Sequence, residues 1–138
     1  MKLIVDTCVW SLWLRRKDES RLNANEQQIL NEFRETVKDR RAKIIGPIRQ
    51  EILSGIRDST QFAKIENLLN PFLDEAIEAS DYIEAARFFN RCRNHGFQCG
   101  LVDILICAVA ARNRYGILTY DQGLMRCIEA LRAEGISL

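Results

Sequence analysis

The segment Lys2–Thr7 (KLIVDT) opens the sequence with a short apolar run that ends in an acid. Its β-branched centre, Ile4-Val5, favours a strand that ends at Asp6. The next residues, Thr7–Leu14, are typical of the first turns of a helix. A strand that passes directly into a helix is the first unit of an α/β domain, and this segment therefore decides how the rest of the chain is interpreted.

The remainder of the chain repeats this alternation of short β-branched runs and helical periods. Further strand candidates are Ala42–Ile45, Pro71–Ile77, Gly116–Thr119 and Ile136–Leu138. Helical patterns cover Ala24–Val37, Pro47–Arg57, Asp58–Leu69, Leu101–Arg114 and Gln122–Glu134, and Ser80 or Asp81 caps a further helix that runs to Asn94. Strands separated by helices need crossover connections. We therefore predict a three-layer α/β fold, one domain over residues 1–138, with a mainly parallel central sheet flanked by helices.

Composition excludes several classes of protein. The chain has 138 residues, 47% of them hydrophobic, which is enough to fill a core and argues against disorder. No apolar run approaches the ~18 residues of a membrane span, and an acid at position 6 stands where a signal peptide needs apolar residues. The five cysteines show no paired spacing. We therefore expect reduced thiols in a cytoplasmic protein that does not bind a membrane.

Four acids stand in unusual sequence contexts. Asp6 and Asp121 each follow a predicted strand, and the carboxyl ends of parallel strands are where functional groups gather. Asp103 lies in the apolar run GLVDILICAVAA, where an ionised carboxylate is costly unless it is paired or bound to a metal. Glu51 lies beside the apolar stripe of its helix. Each acid also has a plain structural interpretation, as a helix cap, a first-turn acid or a solvated side chain.

Together the acids point to a cation site without histidine. Four carboxylates at one edge of a sheet are hard oxygen donors that suit Mg²⁺ or Mn²⁺ rather than zinc. Divalent cations held this way serve phosphodiester hydrolysis. Thr7 and Thr119 add hydroxyls that orient the acids or a water. Because crowded carboxylates repel one another, the cluster costs stability without a cation, which argues for a functional role.

The same residues carry a family resemblance. In order along the chain stand Val-Asp-Thr at residues 5–7, Glu-Ile-Leu-Ser-Gly at 51–55, an aspartate that opens the apolar helix, and Leu-Thr-Tyr-Asp at 118–121. This order resembles a PIN-domain ribonuclease, and the closest type is the VapC toxin of toxin–antitoxin pairs. The resemblance spans essentially the whole chain and implies the α/β fold described above.

The resemblance also implies an activity and roles for residues. Asp6, Glu51, Asp103 and Asp121 take the family's acidic positions, with Asp6, Asp103 and Asp121 as ligands of Mg²⁺ or Mn²⁺. Thr7 and Thr119 take its hydroxyl positions. The implied function is endoribonuclease cleavage of RNA by a toxin with a small antitoxin partner. We further expect a structured RNA such as tRNA as the substrate and a homodimeric assembly. Many relatives carry a further acid at the place held here by Gly123-Leu124, so one carboxylate is missing.

Other interpretations remain open at this point. One is a catalytically inactive PIN-fold module that binds protein or RNA. Another is a zinc site from cysteine and histidine, with the candidate ligands Cys92, His95, Cys99 and Cys107. Trp10 and Trp13 lie three residues apart on one helical face, where they form either core or a docking surface for the antitoxin. Fifteen of the twenty cations are arginine, and those expected to follow RNA phosphates are Arg15, Arg16, Arg40, Arg41 and Arg49.

Overall fold

The computed structural model of the protein describes residues 1–15, the last of these by its backbone, and residues 18–138. Its strands are β1 (Leu3–Val5), β2 (Ala42–Lys43) and β3 (Gly116–Leu118). Its α-helices are α1 (Thr7–Arg15), α2 (Ala24–Lys38), α3 (Gly46–Ser54), α4 (Ser59–Leu69), α5 (Ala79–Asn94), α6 (Leu101–Asn113) and α7 (Gln122–Ala133), and a 3₁₀ turn covers Glu19–Arg21. The charged break expected between Arg15 and Glu19 lies partly outside the described residues.

The sheet has the order β2-β1-β3, and both pairs of strands are parallel. In register, Leu3 of the central strand lies between Ala42 and Gly116. Neighbouring residues on a strand point to opposite faces, and Ile4 and Val5 are both fully buried. Helices therefore cover both faces of the sheet. The predicted three-layer α/β fold with a parallel sheet is confirmed.

Helix α6 is the centre of the core. Seven consecutive residues, Ile104–Ala110, are buried, because α5 and α7 pack on its sides and the central strands pack on it as well. This explains why its sequence is apolar all round rather than amphipathic. Its last turn makes an ion pair in which the exposed Arg112 donates to the buried Asp81 of α5 at 2.7 Å.

Several predicted boundaries were wrong. Ile136–Leu138 forms no strand, and Pro71–Ile77 contributes only a single bridge between Asp74 and Ile44. The second strand ends at Lys43 because Ile45 already serves as the N-cap of α3. Helix α5 begins earlier than predicted, after Glu78, and Asp81 accepts a hydrogen bond from the Glu78 backbone at 2.8 Å.

Trp10 belongs to the core rather than to a docking surface. It is fully buried, its indole N–H donates to the Val5 carbonyl at 2.9 Å, and it stacks edge-on against Phe33 and Phe72. Trp13 packs on the same rings and is only partly buried. A partner is therefore able to reach Trp13 but not Trp10.

The expectation of five reduced, unpaired cysteines was also wrong. Cys99, in the loop before α6, forms a disulfide with Cys127 of α7. The two residues are 28 positions apart in the sequence, and only the packing of α7 against α6 brings them together. Cys8, Cys92 and Cys107 are free. No described helix is long and apolar enough to cross a membrane.

Candidate active site

The site begins where the two neighbouring strands β1 and β3 end. The Asp6 backbone N–H donates to the Leu118 carbonyl at 2.9 Å, which extends the ladder by one residue and sets Asp6 beside Thr119. The Thr119 hydroxyl donates to Asp6 Oδ2 at 2.8 Å, and the Thr7 backbone N–H donates to Asp6 Oδ1 at 2.8 Å. Asp6 is 5% exposed. Both of its oxygens are thus oriented by the sheet edge, as the strand-end rule predicts.

Glu51 reaches this edge from α3. The Thr7 hydroxyl donates to Glu51 Oε1 at 2.8 Å. This bond joins α1 to α3, which pack against each other, and it leaves the second carboxylate oxygen of Glu51 exposed to solvent. Thr7 therefore orients Glu51 with its side chain and Asp6 with its backbone.

Asp103 enters from the first turn of α6. The helix leads into β3 and so runs back across the sheet, which places its N-terminus at the carboxyl edge of the strands. Burial, and next the charges of Asp6, Asp121 and Glu51, raise the pKa of Asp103 to about 6. These three charges place Asp6, Asp121 and Glu51 in the neighbourhood of Asp103, although among the described residues no three of the four acids bring carboxylate oxygens within 4.8 Å of one another. Among the described residues, Asp103 has no hydrogen-bond donor and no ion-pair partner.

Asp121 makes two hydrogen bonds near the start of α7, one through its side chain and one through its backbone. Its Oδ2 accepts the Leu124 backbone N–H at 2.8 Å and caps α7, while its own N–H donates to the Thr119 hydroxyl at 3.0 Å. A side chain at Gly123 would place its Cβ 3.2 Å from Asp121 Oδ2. The second oxygen of Asp121 remains available on the exposed side of the cluster.

The charge of these four acids is not compensated by ion pairs with the basic residues that the structure describes. No lysine or arginine in the described part of the chain forms an ion pair with any of the four acids. The donors are carboxylates and hydroxyls, the ligands that Mg²⁺ and Mn²⁺ prefer. A divalent cation fits this set because it supplies the positive charge that the surrounding side chains do not.

Cys8 is a site residue that the sequence interpretation missed. Its thiol donates to Asp6 Oδ2 at 3.4 Å and lies 3.5 Å from the Thr119 hydroxyl. Burial raises the pKa of Cys8 to about 11, with the Asp6 charge adding to the rise. The side chain is therefore a neutral thiol that adds a weak donor to Asp6. Its position two residues after Asp6, in the first turn of α1, was the available signal.

Three of the arginines expected to follow RNA phosphates, Arg40, Arg41 and Arg49, do not lie where that role needs them. Arg49 forms an ion pair with Asp74 at 3.0 Å and donates to the carbonyls of Leu69 and Phe72, so its guanidinium is committed to the fold. Arg40 and Arg41 precede β2 at the amino end of the sheet, opposite the acids. Arg16 and the side chain of Arg15 lie outside the described residues.

The predicted zinc ligands are not brought together as a set. His95 bonds to Glu134 at 2.9 Å, and Cys99 is in the disulfide. Within the part of the chain that the structure describes, the sulfur atoms that come close are those of Cys92, Cys99 and Cys127.

Comparison with known proteins agrees with this geometry. The family model described as PIN domain matches residues 3–128, which include all four acids and both threonines. No curated protein matches the chain. With a parallel sheet, an acid cluster at its carboxyl edge and a family match over most of its length, the chain belongs to the PIN domain family.

Proposed function

We propose that the chain is a Mg²⁺- or Mn²⁺-dependent endoribonuclease whose active site is formed by Asp6, Glu51, Asp103 and Asp121. PIN domains are generally nucleases, hydrolases that cleave phosphodiester bonds, and they usually need divalent metal ions. One observation carries the proposal. Asp6, Glu51 and Asp121 lie near enough to Asp103 for their charges to raise its pKa, and no described basic side chain forms an ion pair with any of the four acids.

The oriented carboxylates assign the ligands. Asp6 and Asp103 are the main ligands in this proposal, since Asp6 is fixed by three donors and Asp103 has none to displace among the described residues. Asp121 contributes the oxygen that does not cap α7. When bound, the divalent cation offsets the repulsion among the acids, stabilises charge on the phosphate and lowers the pKa of a water.

The chain's own residues have three tasks in the reaction. Thr119 holds Asp6 and, through the backbone N–H of Asp121, the start of α7 in one arrangement. Thr7 holds Glu51 so that its free oxygen faces solvent, where it orients the attacking water and accepts its proton. The water attacks phosphorus in line, and the products are a 5′-phosphate and a 3′-hydroxyl.

The biological role follows from the resemblance in the sequence. PIN nucleases act on RNA or DNA, and we propose RNA, a structured RNA such as tRNA, as the substrate of this chain. We further propose that residues 1–138 are one nuclease domain, that it is the toxin of a type II toxin–antitoxin pair of VapC type in the cytoplasm, and that a small antitoxin covers the acids. Trp13 and Leu14, both only partly buried, are the apolar residues of α1 available to that partner.

We propose a homodimer as well. Three large apolar side chains are exposed on neighbouring helices, Tyr82 and Ile83 on α5 and Leu101 on α6. Tyr82 and Leu101 border an apolar groove of about 400 Å³ between the two helices. Sedimentation velocity tests the assembly. A dimer is expected, and a Leu101→Glu variant is expected to sediment as a monomer.

Cleavage of end-labelled tRNA tests the enzymatic proposal. We expect cleavage in Mg²⁺ or Mn²⁺ that ceases with a chelator and in Asp6→Ala, with 5′-phosphate ends on the downstream products. Cleavage that survives the chelator, or products that end in a cyclic phosphate, contradict the mechanism. No cleavage of any RNA by a folded, metal-bound protein supports the inactive binding module instead.

Expression in bacteria tests the toxin role separately. Wild-type protein is expected to stop growth, and Asp103→Asn is expected not to do so at equal abundance. Co-expression of a small protein encoded next to this gene is expected to restore growth. Growth arrest of equal strength with the wild-type protein and with Asp103→Asn contradicts the proposed toxin role, and it does not test the cleavage chemistry.

A further inference from the structure

Three cysteines around the N-terminal end of α6 form a second cluster of chemically active side chains. The sulfur atoms of Cys92 on α5, Cys99 in the α5–α6 loop and Cys127 on α7 all lie within 4.8 Å of one another. All three residues are buried, with exposed fractions of 0%, 4% and 1%. A fourth buried thiol, Cys107 on α6, lies near enough to Cys92 for their charges to interact.

We propose that Cys92, Cys99 and Cys127 form a binding site for one thiophilic divalent cation, Zn²⁺ in particular, when the Cys99–Cys127 disulfide is reduced. Zinc–thiolate bonds are about 2.3 Å long, so sulfurs around a tetrahedral zinc lie about 3.8 Å apart. Three sulfurs already within 4.8 Å of one another need only small side-chain movements to surround such an ion. The disulfide and the metal are thus alternative states of one cluster.

The conversion balances without an unnamed reactant. A dithiol reductant gives two electrons and two protons to the Cys99–Cys127 bond and becomes a disulfide itself. Three thiols then exchange three protons for the cation. Burial and the nearby charge of Glu134 raise the pKa of Cys92, so its thiol stays protonated without metal. The same negative charge favours a cation beside Cys92.

Three different elements contribute the ligands, and this gives the site a structural consequence. Cys92 lies in the last turn of α5, Cys99 directly precedes α6, and Cys127 lies in the middle of α7. A bound cation joins the same loop to α7 as the disulfide does and adds α5 to the connection. The fold is therefore held together here in both the oxidised and the reduced protein.

Cobalt titration of the full-length reduced protein tests this inference, because Co²⁺ bound by thiolates absorbs in the near ultraviolet and Co²⁺ bound by carboxylates does not. We expect one equivalent of Co²⁺ to saturate this absorption and Zn²⁺ to abolish it. The oxidised protein is expected to show none. Absence of the thiolate band in reduced, folded protein overturns the proposal.

Two serine variants locate the ligands. Cys92→Ser is expected to lose the band, whereas Cys8→Ser, which removes the free thiol at the acid cluster, is expected to retain it. The opposite pattern overturns the assignment. If Cys92→Ser does not fold after reduction, alkylation of wild-type protein followed by intact-mass measurement decides the matter. Because the three thiols are buried, the alkylation is carried out at a denaturant concentration that partly unfolds the reduced, metal-free protein. Zn²⁺ is expected to protect three cysteines under these conditions, and unchanged alkylation in Zn²⁺ overturns the proposal. Asp103→Asn keeps the band in either case, so this test is independent of the nuclease proposal.

Discussion

Replacing Asp103 by asparagine is expected to stabilise the metal-free protein. The pKa of Asp103 rises from its ordinary value of 3.8 to about 6 because of burial and the three neighbouring acids. At ~1.4 kcal/mol per pH unit, this rise corresponds to about 3 kcal/mol of destabilisation at pH 7 if it is fully expressed. The side chain is partly exposed, and the first turn of a helix favours a carboxylate by ~0.5 kcal/mol. We therefore expect Asp103→Asn to gain about 1–2 kcal/mol.

The sign of the pH dependence follows from the same shift. Between about pH 4 and pH 6 the folded protein binds a proton at Asp103 that the unfolded chain has already lost, so wild-type stability falls as the pH rises through this window. Above about pH 6 the destabilisation is complete. In Asp103→Asn, this fall in stability between about pH 4 and pH 6 is expected to be absent.

Thermal unfolding in chelator at pH 5 and pH 7 measures both effects. We expect Asp103→Asn to unfold about 3–8 °C above wild type at pH 7. Glu66→Gln, which removes an exposed carboxylate from α4, is the matched control and is expected to behave as wild type. A less stable Asp103→Asn protein at pH 7 shows that the carboxylate has a stabilising partner, and it refutes the argument that the cluster is uncompensated.

Three further predictions concern the metal, the core and the ion pair between Arg112 and Asp81. Mn²⁺ is expected to raise the melting temperature of wild type and of Glu66→Gln but not of Asp6→Asn in scanning calorimetry; equal shifts in all three count against the site. The free energy of unfolding of Trp10→Ala, measured by urea denaturation, is expected to be ~3–5 kcal/mol below that of wild type, because a fully buried ring and its bond to a strand carbonyl are removed. A loss below ~1 kcal/mol contradicts the placement of Trp10 in the core. The free energy of unfolding of Arg112→Ala is expected to be ~2 kcal/mol below that of wild type at pH 7, since the substitution leaves the buried Asp81 carboxylate without its ion-pair partner. Because Arg112 lowers the pKa of Asp81, that difference is expected to disappear as the pH falls through the lowered pKa, and a difference that persists in acid contradicts the assignment.

The local parts of the fold were predictable from sequence. Strand β1 and helix α6 were visible because a short β-branched run and a continuous apolar run are properties of neighbouring residues. The end of β2 was not, since it depends on where α3 begins and on a bridge to Asp74, far along the chain. The disulfide between Cys99 and Cys127 was missed for the same reason, because it is created by the packing of α7.

The site residues also differ in how far the sequence predicts their positions. Asp6 and Asp121 follow from the strand-end rule, because Asp6 comes directly after β1 and Asp121 comes three residues after the end of β3. Glu51 and Asp103 lie on helices, and periodicity alone does not fix which end of the sheet those helices approach. The Thr7–Glu51 bond emerges only once α1 and α3 are packed together, whereas the thiol of Cys8 lies beside Asp6 because it is only two residues away in the sequence.

The central claim is that the four acids act through a bound divalent cation to cleave RNA. Its most direct test is the cleavage rate of one structured RNA, measured against Mn²⁺ concentration for wild type, Asp103→Asn and Glu66→Gln. We predict saturable, metal-dependent cleavage by wild type and by Glu66→Gln, and no cleavage by Asp103→Asn at any Mn²⁺ concentration. Cleavage by Asp103→Asn at the wild-type rate, or a rate independent of Mn²⁺, contradicts it.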